Sequence, residues 1–403
     1  MSNSVLTISM ITREAMRVLE NNLTFTRGVN REYDDKFGRE GAKIGSTLNV
    51  RLPARYVGRT GPTLSIEDQT EQYIALTLGT QFGVDVQFTS ADLELSMDDF
   101  SERFLAPAMA AVSNKIDFDG MAQATSVYNA VGTPGTTPST ILTFLNASKV
   151  MKQFAAPQDD MRSFTIDPNA EAAIVNNLTT LFVPQKEIGE QYLRGQMGNA
   201  IGFKWSSDAN VNTLTQGSQG GTPVTKSATT QTGSSLITTG WSNTITNVLV
   251  AGDIFTISGI HAVNPQTRKS TGALQQFVVT ANANSNGSGT ATLSISPSMT
   301  SSGQFQTIDT AVTGGLTITV LGSASATQIM NLAYHRDAFI LGTADLPLPK
   351  GVDMAARVAS KKTGLSVRMV RAYDIVNDMF PCRLDVLYGW ATPYPQLACR
   401  ICG

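Results

Sequence analysis

The spacing of apolar and polar positions changes several times along this chain, and each change marks a segment. Residues 1–46 mix charges of both signs with scattered apolar positions. Thr12–Glu20 (TREAMRVLE) reads as a short helix with Thr12 as its N-cap. Arg27 to Lys43 is polar, dotted with glycine and shows no core face, which predicts an extended arm lying on another surface. From Thr47 the pattern alternates, and Thr47–Leu52 and Tyr73–Leu78 read as the strands of a long ribbon. Gly58–Thr63 (GRTGPT) and the acidic residues Glu67, Asp68 and Glu71 lie between them. A lone hairpin is marginal in water, so this ribbon needs a partner surface. Gln81–Phe88 continues the strand pattern.

Residues 96–130 switch to a four-residue period. Ser96 and Asp99 have capping-box spacing, and Phe100, Phe104, Ala108, Val112 and Ile116 form one apolar stripe. A proline inside a helix costs about 3 kcal/mol, so Pro107 predicts a bend there or a helix restart with the proline in its first turn. Val131–Thr140 (VGTPGTTPST) is a loop by composition. Helices are expected over Thr143–Phe154 and Asn169–Leu178, with a strand at Ser163–Ile166. Residues 209–325 then carry β-branched runs at close spacing: Thr244–Val250, Asp253–Ile257, Gln276–Thr280, Thr290–Ile295 and Leu316–Val320. Short strands separated by turn residues predict a small barrel or sandwich inserted in the chain. Strands resume at Ser366–Val370 and Arg383–Tyr388.

Composition supports the division. Residues 209–325 hold only five charged residues, Lys226, Asp253, Arg268, Lys269 and Asp309, and Ser, Thr, Gly and Asn dominate. A chain of 403 residues has room for two or three domains. Charged residues make up 15%, against about 25% in ordinary soluble domains, which suits a surface covered by neighbours. The net charge of -2 gives no global basic field for nucleic acid. The first 60 residues nevertheless hold ten basic against six acidic side chains, a local +4. The first residues lack the pattern of a signal peptide, and no apolar run approaches the ~20 residues of a membrane helix, so no membrane partner is expected.

Candidate chemistry is sparse. His335-Arg336-Asp337 spells the catalytic-loop signature of a protein kinase, but position 342 is Gly where a metal-binding Asn is required, and no glycine-rich phosphate cover is present. Arg336 and Asp337 read instead as an ion pair or cap at the start of an element. His261 and His335 are the only histidines, and no G-x-S-x-G elbow presents a nucleophile to either. Cys382, Cys399 and Cys402 form an odd set near the C-terminus, which is no disulfide framework and fits folding in a reducing cytosol. Cys399-Arg-Ile-Cys402 has redox spacing, yet it follows a strand pattern rather than opening a helix, so structural thiols are expected. No catalytic residue, cofactor or metal is expected.

Four segments together resemble a known family. Met97–Asp119 (MDDFSERFLAPAMAAVSNKIDFD), Val248–Ile260 (VLVAGDIFTISGI), Asn331–Pro349 (NLAYHRDAFILGTADLPLP) and Val367–Ile401 are similar to segments of the major capsid proteins of tailed bacteriophages, specifically the coat proteins of short-tailed Salmonella phages. The resemblance implies an α+β chain with the tailed-phage capsid fold (Hong Kong 97-like) carrying an inserted all-β barrel. Its parts would be an N-terminal arm (1–46), an extended hairpin (47–80), a peripheral domain with the spine helix (81–135), axial segments (136–208 and 326–365), the insert (209–325) and closing strands (366–403). It implies hexamers and pentamers of an icosahedral shell, a scaffolding protein, a portal protein and non-specifically held double-stranded DNA as partners, with assembly in the host cytoplasm and residence in the virion. His335-Arg336-Asp337 would mark the return from the insert to the shell. Relatives carry a charged loop in the insert, whereas Thr229–Thr239 here holds no charge and Arg268 and Lys269 are the charged residues nearby in sequence. The expected subunit contacts are Arg13, Arg17, Arg27, Arg31 and Arg39 on the arm, Arg59, Glu67, Asp68 and Glu71 on the hairpin, and Arg268 and Lys269 on the insert. A β-rich tail or surface adhesin is the alternative reading, suggested by the Ser/Thr/Gly-rich insert.

Overall fold

The computed structural model describes residues 8–31, 45, 47–64, 66–68, 70–89, 105–178, 198–226, 230–360, 364–376 and 379–403. The chain divides into two compact units. The first takes its residues from 1–51, 73–121 and 339–393, and the second from 52–72, 122–338 and 394–403.

In the first unit, helix α1 (Ile8–Asn22) leads into a 3-10 turn (Phe25–Gly28). Thr12 is a buried residue inside α1 rather than its cap. Strands β1 (Thr47–Leu52) and β2 (Gln72–Thr77) pair as the base of the ribbon. β3 (Thr80–Thr89) and helix α2 (Ala106–Met121) follow. Pro107 lies in the first turn of α2 as described, where its missing N–H breaks no intrahelical bond. Ala108, Val112 and Ile116 of the expected stripe are buried, while Ser96, Asp99, Phe100 and Phe104 lie outside the described residues. The sheet is completed by β16 (Ile340–Ala344), β17 (Met354–Ala359), β18 (Ser366–Arg371) and β19 (Met379–Ala391), in the order β16-β19-β18-β17. β19 is its centre. β3 runs antiparallel along one edge, from Tyr388↔Thr80 to Met379↔Thr89, and β16 and β18 share the other. Gly342 and Gly389 face each other in this register, and Leu76 and Leu78 lie over them. A Cβ on Gly389 would stand 2.0 Å from the Thr77 carbonyl oxygen, so only glycine lets the ribbon base seat there.

The described residues of the N-terminal segment pack into the first unit, while most of the stretch expected as an extended arm, from 32 to 43, lies outside the described residues. Ala15, Met16, Leu19, Leu23, Phe25 and Val29 are all buried in the first unit. Phe25 packs at 5.6 Å from Phe339 and 5.7 Å from Trp390. Asn30 bridges to Ile340, exchanging bonds with the Phe339 carbonyl (3.1 Å) and the Leu341 N–H (3.0 Å). The apolar residues of 19–29 are spaced too irregularly to announce a face, because the chain there leaves the helix and wraps.

The second unit contains two sheets. The mixed sheet comprises β4 (Ala130–Gly132), β5 (Arg162–Ile166), β6 (Asn199–Ala200), β7 (Phe203–Ser207), β8 (Thr213–Thr215), β15 (Thr327–His335) and β20 (Ala398–Cys402). Its order is β4-β20-β15-β5-β7-β6, with β8 also on β15. Helices α3 (Ile141–Gln153) and α4 (Pro168–Leu178) contribute Phe144, Met151 and Ile174 to one core with Phe164, Phe203 and Ile401 of the sheet.

The second sheet comes from the low-charge region: β9 (Gly221–Thr225), β10 (Gly233–Trp241), β11 (Ile254–Val263), β12 (Ser270–Val279), β13 (Ala291–Met299) and β14 (Ile318–Val320). The order is β14-β11-β12-β13-β10-β9, and a bridge between Val224 and Thr317 joins the two outer strands. Leu236, Phe255, Phe277, Leu293 and Ile318 lie in its core, each such side chain worth about 1.5–3 kcal/mol when fully buried. Two expectations fail here. Thr244–Val250 is a turn-rich loop, with Thr244 at φ 57° and Asn247 at φ 53°, although Val248 and Leu249 still plug the core. Conversely, the uncharged stretch taken as a loop, Thr229–Thr239, supplies most of β10. Its Ser/Thr-rich outer positions alternate with buried Leu236 and Thr238.

Candidate assembly surfaces

Beyond the paired base of the ribbon, a few side chains hold the described residues in place. Glu67 closes it: its carboxylate accepts the N–H groups of Val57 and Gly58, each at 2.7 Å. Arg59 is exposed and donates to the Gly61 carbonyl. Asp68 and Glu71 are exposed, and the Asp68 carbonyl accepts the Gln304 side-chain amide at 3.2 Å. The Arg268 guanidinium reaches the Tyr56 carbonyl at 2.6 Å, while Lys269 stays exposed. Hairpin and insert residues far apart in sequence therefore meet within one chain. The ribbon also leaves apolar side chains outside: Leu64 is 74% exposed, Ile66 83%, and Tyr56, Val57 and Tyr73 more than half.

The arm candidates separate. Arg13, Arg17 and Arg27 are exposed, and Arg17 is ion-paired with Glu14 at 2.5 Å on the same helix face. Arg31 is half-buried. Arg39 lies outside the described residues.

Sequence reading missed the residues that hold this segment down. Asp117, in the middle of α2 and buried, accepts the Thr24 N–H (2.6 Å), the Thr26 N–H (3.0 Å) and the Thr26 hydroxyl (2.5 Å). Asp119, two positions on, accepts the Tyr388 hydroxyl at 2.7 Å and the Lys115 ammonium at 2.6 Å. Burial, then Asp119, push the Tyr388 phenol well above its usual range. Gly120 must stay small, since its Cβ would stand 2.6 Å from Trp390 and 2.8 Å from Phe25. The run Asp117-Phe-Asp-Gly120 thus pins the N-terminal segment to the first unit. On β18 and β19 a buried carboxylate, Asp385, is held by Arg368 (2.6 Å) and Arg383 (2.7 Å). No motif marks these single residues; only burial reveals them.

A comparable lock lies in the second unit. Arg400 on β20 is wholly buried and donates to the Gly252 carbonyl at 2.8 Å. Burial lowers its pKa to about 10, against the opposing pull of Cys402 and Asp253. Asp253 is buried too and accepts the N–H groups of Val250 (2.9 Å) and Gly217 (3.0 Å). Burial raises its pKa despite these bonds. The lock ties the last strand of the mixed sheet to the turn entering β11.

The chemistry-like motifs lie at the end of β15 and in β20. His335 ends β15, wholly buried, with Nε2 at 3.1 Å from Asp159 and Nδ1 accepting the Asp337 N–H at 3.3 Å. Nδ1 as acceptor leaves Nε2 to carry the proton toward Asp159. Arg336–Ala338 is a 3-10 turn, after which the chain passes from the second unit into the first. Cys399 and Cys402 are buried in β20, and burial raises both thiols above their usual range, which suppresses the reactive thiolate.

No curated protein matches the sequence significantly. Among solved structures, similar chains occur in Mycobacterium phage Che8 (10% identity, covering 94% of this chain and 90% of that one, TM-score 0.45). A second is the capsid of Ralstonia phage GP4 (8%, 94% and 87%, TM-score 0.44). A third is the capsid of cyanophage P-SCSP1u (11%, 93% and 88%, TM-score 0.43). The family model "P22 coat protein – gene protein 5" matches residues 2–403. With that match over nearly its whole length, the chain belongs to the P22 coat protein family, the major capsid proteins of phage heads.

Proposed function

We propose that this coat protein builds an icosahedral head through a scaffold-guided precursor shell that encloses double-stranded DNA and expands as the DNA is packaged. The observation that carries this reading is the ribbon. Its apolar residues Tyr56, Val57, Leu64, Ile66 and Tyr73 face outward on a two-stranded excursion without a core. An exposed apolar cluster of this kind marks an interaction site, and an identical neighbouring subunit is the partner a coat protein meets most often. Interfaces of order 1,000 Å², repeated by closed symmetry, then give a stable shell from modest contacts. Expansion is a rearrangement of packed units between two arrangements rather than continuous deformation.

The first unit serves in this reading as arm, spine and peripheral body, and the second as axial body bearing the β9–β14 sheet as the inserted domain. The exposed Arg13, Arg17 and Arg27 meet scaffold, portal-proximal partners or packaged DNA through salt-sensitive contacts. The test is assembly of purified subunits with a scaffolding protein, followed by light scattering and negative-stain microscopy. Closed particles of uniform diameter are expected. A discrete soluble oligomer, with no particles at any subunit concentration or salt, would overturn the proposal.

A further inference from the structure

Residues 52–72 of the ribbon belong to the second unit, together with the β9–β14 sheet. Two turns of that sheet grip them. The outgoing limb is held at Tyr56, whose carbonyl accepts the Arg268 guanidinium at 2.6 Å. The returning limb is held at Asp68, whose carbonyl accepts the Gln304 side-chain amide at 3.2 Å. Glu67 ties the two limbs to each other through the Val57 and Gly58 N–H groups. At the ribbon root the Arg55 guanidinium stands 6.0 Å from the centroid of the Phe305 ring, next to Gln304.

Both gripping side chains leave turns that are themselves fixed. The Asn264 side-chain oxygen accepts the Gln266 and Thr267 N–H groups, each at 2.9 Å, and the Arg268 N–H donates to the Asn264 carbonyl at 2.8 Å. The Asn264 amide donates to the Gln153 carbonyl at the end of α3, at 2.7 Å. Arg268 has a left-handed backbone, φ 53°, so the turn sets where its side chain leaves. Gln304 follows Gly303, at φ 88°, in a turn closed by the Thr307 N–H on the Thr300 carbonyl at 2.9 Å. A donor on a rigid support loses little freedom when it binds. Both acceptors are main-chain carbonyls, and Leu64 and Ile66 stay exposed. A contact that concealed the ribbon would cover those apolar side chains; this one leaves them presented.

We infer that the β9–β14 sheet is a bracket for the ribbon of its own chain: Arg268 and Gln304 hold the two limbs by their carbonyls and present Leu64 and Ile66 to a neighbouring subunit before assembly begins. Without the bracket, an excursion that has no core must be ordered at the moment of contact, against its conformational entropy. A binding-competent state that is only part-populated weakens apparent affinity by that fraction, and the bracket raises the fraction. Its value to assembly rests on the reading proposed above, while the bracket itself is read on the unassembled subunit.

The experiment is limited trypsin digestion of the full-length unassembled chain, with fragments identified by mass. Cleavage after Arg55 requires the root to leave Phe305 and Tyr56 to leave Arg268, whereas cleavage after the exposed Arg59 is the internal reference. Proteolysis of a transiently opened segment follows its open population. Arg268→Asn tolerates the left-handed backbone but is too short to reach Tyr56. Combined with Gln304→Ala, it should speed cleavage after Arg55 about tenfold relative to Arg59, the worth of one to two such hydrogen bonds. Arg268→Lys keeps a charged donor and should recover much of the protection. Lys269→Asn, exposed and next in sequence, should change nothing. In scaffold-assisted assembly the double variant should need several-fold more subunit to form closed particles, with its urea midpoint unchanged. Unchanged cleavage after Arg55, or faster cleavage with an unchanged assembly threshold, would overturn the inference. A wild-type chain that forms no particles tells against the assembly reading instead, and cleavage after Arg55 then decides the bracket alone.

Discussion

Beyond the short helix read over Thr12–Glu20, the N-terminal segment (12–30) and the ribbon (53–71) pose the same puzzle in sequence, scattered apolar residues with no evident partner face. The structure treats them oppositely. The segment buries Leu19, Leu23, Phe25 and Val29 and is pinned by one carboxylate, Asp117. The ribbon holds itself together with Glu67 and presents Leu64 and Ile66 outward. Scattered apolar residues therefore signal a need for a partner, but not whether the partner is the same chain or another. The segment finds its partner inside the first unit; the ribbon leaves apolar side chains exposed.

The comparison breaks most visibly at Phe25. Phe25→Ala empties a fully buried site beside Phe339 and Trp390 and should cost about 3–5 kcal/mol in urea unfolding. A loss under about 0.5 kcal/mol would mean that the segment is not anchored. Next comes Asp117→Ala, which leaves the buried Thr26 N–H and hydroxyl without their acceptor. Hydrogen bonds to a charged acceptor are worth about 1.5–3 kcal/mol each, so a loss of about 3 kcal/mol is expected in the same assay. Asp117→Asn should recover part of it by keeping one acceptor oxygen.

These two residues also show what the sequence conveys and what it hides. Ala108, Val112 and Ile116 recur at helical spacing, and all three are buried as read. The runs 253–257, 276–280 and 290–295 mark β11 to β13, because β-branched alternation reports a half-buried pleat directly. Asp117 escapes because one buried carboxylate has no pattern; its meaning comes from Thr24 and Thr26, more than 90 positions away. Thr244–Val250 misleads because positive φ at Thr244 and Asn247 bends a β-branched run into a loop. β10 is hidden by threonine and serine, which satisfy a strand's outer face as well as a loop's composition. Of the surface candidates, the ribbon's two paired strands were legible. Its outward residues were not, since period 2 alone does not say which face is covered.

A smaller effect sharpens the contrast through pH. Asp309 sits part-buried; desolvation would raise its pKa, but the His261 N–H and ring and the Ser270 hydroxyl outweigh it and hold the carboxyl below its ordinary 3.8. Its folded pKa is depressed, so the stabilisation is complete above that ordinary value and is lost as pH falls through the folded one. Asp309→Asn should flatten the stability profile below about pH 4 and leave ribbon mutants unaffected. An unchanged slope would remove the carboxylate from the account. Smallest in stability terms are Arg13→Ala, Arg17→Ala and Arg27→Ala. Surface changes of this kind stay within about 0.5 kcal/mol, and the ion pair of Arg17 with Glu14 is an exposed one. Together they should lower assembly yield and weaken its salt dependence; an unchanged yield would move the contact surface off these residues.

The most direct test of the ribbon's role is scaffold-assisted assembly of the Leu64→Ser/Ile66→Ser double variant, followed by sedimentation and negative-stain microscopy beside a urea melt. Subunits unfolding within about 0.5 kcal/mol of wild type but forming no closed particles are predicted, because both side chains are exposed in the single chain. Closed shells at wild-type yield would contradict the account.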